Sequence, residues 1–161
     1  PGFYSNFGDK EGLFQKALEN YSEQIAEPML ADIMELPEST INVFRTFFFK
    51  MASTVTSSNI PNGCFISASF LECAQFPDKL RSVTLSLMDR QLVVFRNRIE
   101  SALQLGELDQ STDVESLAQF LSSQTLAITG MARAGKDILI LTKYIDIALS
   151  VLNNKSSTLE Q

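Results

Sequence analysis

The chain has 161 residues, 45% of them hydrophobic, with a formal net charge of −6 and neither His nor Trp. That length supports one domain with a substantial core. The lack of His removes Ser-His-Asp and Cys-His catalysis and most transition-metal sites, no apolar run approaches the ~18 residues a membrane span needs, and the acidic balance is a poor match for nucleic acid if this stretch alone did the binding.

The chain opens Pro1-Gly-Phe3-Tyr4-Ser5-Asn6-Phe7-Gly8, an aromatic turn broken by Gly8. Asp9 sits where a helix cap belongs, and Lys10-Glu11 opens a predicted helix over 9–31. Its apolar positions Phe14, Ala17, Leu18, Tyr21 and Ile25 recur at three and four. Pro28 should kink or end it, and Pro37 marks the next start. No signal peptide is visible, since Asp9, Lys10 and Glu11 interrupt the N-terminal region.

From Pro37 onward Ile41, Phe44, Phe48, Met51 and Val55 form one stripe, with Val43, Phe47 and Phe49 on other sides, as expected of a central helix. Residues 59–63 read as a loop. A short helix follows over 64–75. A long one begins at Pro77-Asp78, carries Leu85, Met88, Leu92, Phe95, Ile99 and Leu103, and stops at Gly106. Thr112 to Glu115 reads as a capping box. The helix it opens ends at Gly135, and the last helix runs over 137–152. Residues 153–161 form a polar tail. Cys64 and Cys73 stand nine apart, more than ~13 Å along one straight helix, which excludes a disulfide within it and suits a reducing compartment.

The last two helices each carry two apolar stripes. Leu117, Leu121 and Ile128 share one face of the first of them, and Leu141, Ile145, Ala148 and Leu152 share one face of the last. The second faces carry Phe120, Ser123, Ala127 and Gly130, and Ile140, Tyr144, Ile147 and Val151. A second copy of the chain is the simplest cover for them, because a two-fold interface reuses one patch twice. The aromatic and soft side chains Phe44, Phe48, Met51, Phe65, Phe70, Met88 and Phe95 mark the middle helices as a place for an apolar ligand.

The opening run Gly2-Phe3-Tyr4-Ser5-Asn6-Phe7-Gly8-Asp9-Lys10-Glu11-Gly12-Leu13 resembles the joint in TetR-type transcriptional regulators, where the recognition helix of a helix-turn-helix meets the regulatory domain. The resemblance implies an all-α helical-bundle regulatory domain with the N-terminal DNA-binding helices largely missing. Residues 1–8 would be the remnant of the recognition helix, and 9–152 the ligand-binding and dimerisation domain. It implies DNA contacts from Tyr4, Ser5, Asn6 and Lys10, a homodimer on double-stranded operator DNA, and a small hydrophobic effector. On this reading the protein is a cytoplasmic, ligand-responsive repressor, with no catalytic residues, metal or cofactor. The alternative is a helical adaptor or structural dimer without DNA binding.

Overall fold

The computed structural model describes residues 9–57 and 63–153, and among the described residues every regular element is a helix. The expectations on residues 1–8, on most of the 59–63 loop and on the tail beyond Asn153 lie outside them.

Helix α1 (Lys10–Tyr21) starts where expected. Asp9 is extended, and its carboxylate accepts the Gly12 N–H at 2.8 Å, satisfying one of the donors a helix start leaves open. Leu18 is buried and Ala17 is exposed, so the inner face is narrower than the periodicity suggests. The helix does not end at Pro28. It passes through a π segment (Ser22–Ala26), in which Glu27 N–H reaches back to Ser22 O, and continues as α2 (Glu27–Glu35). Proline lacks the N–H that a regular turn would use and crowds the carbonyl four residues back. The wider turn just before Pro28 lets the chain pass without a break.

Helix α3 (Thr40–Val55) is the central one, burying Val43, Phe44, Phe47, Phe48, Met51, Ala52 and Val55. Phe49 is an exception to the expected all-round burial and faces outward. Pro37 lies in the link before this helix rather than in its first turn. The Thr40 N–H is taken instead by the Glu107 carboxylate at 2.7 Å. Two cations of this helix reach the surface in ion pairs, Arg45 with Asp146 at 3.3 Å and Lys50 with Asp32 at 2.6 Å.

Helix α4 (Phe65–Glu72) ends in a 3-10 turn (Cys73–Gln75), and α5 (Asp78–Gln104) is the longest rod of the bundle. Gly106 stops α5 with φ +70°, a left-handed conformation that L side chains resist, and Glu107 N–H closes on Ala102 O. Helix α6 (Val114–Arg133) is capped by Asp113 rather than Thr112. Its carboxylate accepts the Ser116 N–H at 3.0 Å, while Glu115 turns away to Arg96. Helix α7 (Ile138–Leu149) is capped by Asp137 and closes with a 3-10 turn (Ser150–Asn153).

The main core lies where α3, α5, α6 and α7 meet. Phe95 is at its centre, with the rings of Phe44, Phe47 and Phe48 at 4.9, 5.3 and 6.1 Å. A second, smaller core joins α1 to α4 and α5 through Leu18, Ile66, Leu87 and Met88. There Phe65 stands between Phe14 at 5.1 Å and Tyr21 at 5.9 Å, edge to face with both.

Arg98 is buried on the apolar side of α5, and its partners are neutral. It donates to Thr40 Oγ1 at 3.2 Å, to Ile33 O at 3.3 Å, to Leu36 O at 3.2 Å and to Glu38 O. These are acceptors at the end of α2 and in the link to α3, so one guanidinium fork fastens that corner. Arg98→Leu orphans all of them. It is expected to cost on the order of 3 kcal/mol, read as a lower urea midpoint at unchanged slope. Arg98→Lys should recover only part, since an ammonium cannot span the same set.

Candidate binding cavity and outer apolar face

The described residues form a partly open cavity of about 50 Å³ between the two cores. One wall is the α1–π–α2 helix, through Tyr21, Ser22, Ile25, Ala26, Met29 and Leu30. Phe47, Met51, Thr54 and Val55 of α3 face it. Cys64, Ile66 and Ser67, Leu87, Arg90 and Gln91 of α5, and Thr125 of α6 complete the lining. The walls are mostly apolar with a few polar groups, the usual make-up of a small-molecule site. The volume holds only a few waters, so a ligand must be small or must part the walls. Met29 and Met51 are the side chains best able to yield.

The polar groups are held in place. Gln91 Nε2 donates to Ser122 Oγ at 2.9 Å, which fixes its amide against α6. Cys64 N–H donates to Thr129 Oγ1 at 3.3 Å. Gly63, just before it, has φ +109°, and a Cβ there would meet Arg133 Cγ at 3.0 Å, so only glycine lets the loop lie this close to α6. Arg90 pairs with Glu27, the first residue of α2. Both cysteines are free and half-buried.

Burial pushes the Tyr21 hydroxyl well above its ordinary value of 10.0, helped by the Cys64 thiol that hydrogen-bonds it, with the backbone of Phe65 pulling the other way. An unfolded tyrosine ionises near ~10, while folded Tyr21 keeps its proton beyond that. The folded state therefore binds more protons in strong alkali, and the stability this supplies is present below about pH 10 and is lost as pH rises past it. Tyr21→Phe is expected to flatten the alkaline fall of Tm, measured by circular dichroism across that range.

Of the side chains expected to line a ligand site, Met51 is on the cavity wall. Phe44, Phe48 and Phe95 are in the solid main core, 0–1% exposed, with each other's rings as neighbours. Phe65, Phe70 and Met88 belong to the second core. The aromatic stripe marked the densest packing rather than the gap beside it. Sequence reasoning passed over the lining residues of the first helix, Ile25 and Met29 among them, and the one available signal was Pro28 inside a helical pattern, a sign of irregular backbone. Lys10 is exposed on the first turn of α1, and Tyr4, Ser5 and Asn6 lie outside the described residues.

The outer sides of α6 and α7 form a separate feature. Their inner stripes are buried as expected, with Leu121, Ile128, Leu141, Ile145 and Leu149 almost fully covered. The second stripes face outward. Ile147 is 73% exposed, Ile140 43% and Phe120 40%, and Val151, Ser123 and Gly130 are exposed beside them. Leu139, 71% exposed, adds to the same helix. Tyr144 and Ala127 are half-buried, and Tyr144 O–H donates to Gln124 Oε1, tying α7 to α6. At Gly130 nothing approaches within 4 Å of a would-be Cβ, so the groove there is open. Apolar side chains grouped on one face of a chain mark an interaction surface.

The sequence of residues 42–146, from the first turn of α3 into α7, matches the family described as "Tetracyclin repressor-like, C-terminal domain". Among curated proteins the chain is similar to the HTH-type transcriptional repressor ComR of Escherichia coli (strain K12), 27% identical over 155 residues, covering 94% of this chain and 71% of that protein. Among solved structures it superposes with TM-score 0.80 on a cysteine mutant of the TetR family transcriptional regulator CifR complexed with 26-base-pair double-strand operator DNA, at 24% identity, over 93% of this chain and 78% of that one. A second CifR cysteine mutant with operator DNA gives the same values. At that identity the likeness is one of fold, whereas the family match takes in most of the chain, including the α3–α6 side of the cavity and much of the outer apolar face. The chain belongs to the tetracyclin repressor-like family, whose C-terminal domain its residues 42–146 match.

Proposed function

We propose that this chain is the effector-binding and dimerising body of a cytoplasmic repressor that releases its operator when a small apolar molecule enters the cavity. The observation that carries this reading is the double duty of one helix. The α1–π–α2 segment leads away from Asp9, on the side where the DNA-reading residues belong, and the same segment forms a full wall of the cavity. A ligand that parts the walls moves that helix. It shifts operator affinity by as much as its affinities for the two arrangements differ, and no more.

Two copies joined through the outer faces of α6 and α7 would set two reading heads at a fixed spacing, about one DNA turn or ~34–36 Å. Lys10, with Tyr4, Ser5 and Asn6 ahead of it, is the group proposed to meet the phosphate backbone and bases. The role as a repressor draws support from the similarity to ComR, which is named as one.

A gel shift with the full-length protein and its own promoter tests the reading. The expected result is a shifted band at low salt that fades when a small apolar effector is added. A promoter that never shifts would end the proposal.

A further inference from the structure

The cavity's effector, we infer, is a small apolar carboxylic acid, bound as its anion with the carboxylate on Arg90 in place of Glu27. This rests on the cavity being the effector site. Among the described residues that line it, Arg90 carries the one formal charge; the rest are apolar or neutral polar. A cationic ligand would meet a like charge there, and a wholly apolar one would leave the guanidinium on Glu27 and make no use of it. Arg90 is already held by a carboxylate, that of Glu27. A ligand carboxylate offers the same planar pair of acceptors to the same fork, so the exchange needs no new geometry. A phosphate would bring a second negative charge beside Glu27.

The exchange is cheap. The Arg90–Glu27 pair is half-exposed on both sides, and pairs of that kind contribute little to stability. The exchange also has a mechanical result. Glu27 is the first residue after the π segment, and Arg90 is on α5, so the ion pair is a strut between the long rod and the moving helix. Taking Arg90 away from Glu27 releases that strut, which gives the ligand the unequal affinity for two arrangements that a switch requires. Gln91, one residue on and fixed to α6, lines the same slot.

The test is calorimetric titration of the full-length protein with hexanoate, hexanol and hexylamine, which share one chain and differ in charge. Hexanoate is expected to bind roughly tenfold or more tighter than hexanol, with hexylamine weakest. Arg90→Gln should erase the gap between acid and alcohol by weakening the acid. Glu27→Gln should tighten hexanoate severalfold, because the competing carboxylate is gone. Equal binding of acid and alcohol, or an acid preference that survives Arg90→Gln, overturns this inference and leaves the cavity reading standing. Binding of hexanoate that survives Met51→Trp, which fills the cavity, or no binding of any of the three, overturns both.

Discussion

An Ile147→Asp chain is expected to sediment as a monomer at micromolar concentration, where the unaltered chain sediments as a dimer, and to lose its hold on operator DNA. Ile147 is 73% exposed in a single subunit, so the substitution should leave the helical circular dichroism spectrum of that subunit almost unchanged. In a two-fold interface it acts twice, placing a carboxylate from each copy into the same apolar seam. An unpaired charge buried in this way costs on the order of 3–5 kcal/mol, enough to raise the dimer dissociation constant by at least about a hundredfold. Operator binding should fall with it, since two linked heads bind far more tightly than one. If the Asp variant still runs as a dimer, the subunits meet on another face.

Phe95→Ala is expected to produce the largest loss of stability of any single truncation in the main core. The Phe95 ring is fully buried, with three phenylalanine rings edge-on around it. Removing it takes away the transfer energy of the ring and leaves a hole that helices on four sides cannot close. The expected cost is about 3–5 kcal/mol, against a total of ~5–15 kcal/mol for a typical domain. Tm should fall by about 10 °C for a chain of this size, read by thermal melts of the dimer at fixed concentration. Phe95→Leu should return much of the loss. Effector affinity should change little, because Phe95 does not line the cavity. Loss of binding with little loss of stability would instead move the ligand site to the aromatic core.

Helix positions and the two-sided character of α6 and α7 were readable because both rest on local rules. Asp9, Gly106, Gly135 and the apolar repeats each act within a turn or two of chain. The outward placement of Phe120, Ile140 and Ile147 follows from the same period as the burial of Leu121, Leu141 and Ile145. The Thr112 cap was off by one residue because Asp113 is the better acceptor and Glu115 had a partner on α5, which no local pattern contains. The cavity was out of reach for a different reason. A gap is fixed by how neighbouring helices fail to touch, and the phenylalanines that stood out in the sequence filled space instead of leaving it. Arg98 was likewise invisible: a cation among Phe95, Ile99 and Ala102 reads as a snorkelling surface residue until the carbonyls around it are located.

The π segment before Pro28 has a consequence for any splice made upstream of it. Over its span the backbone carries a surplus amino acid relative to a regular helix. Deleting one position between Ser22 and Ala26 would restore ordinary pitch with the flanking turns nearly in phase, whereas deleting one from a regular turn beside it would spin everything ahead of it by roughly 100° and draw it in by about 1.5 Å. Chimeras that graft a foreign head onto this body must keep the residue count of the regular turns, or the head will be presented with its wrong side forward.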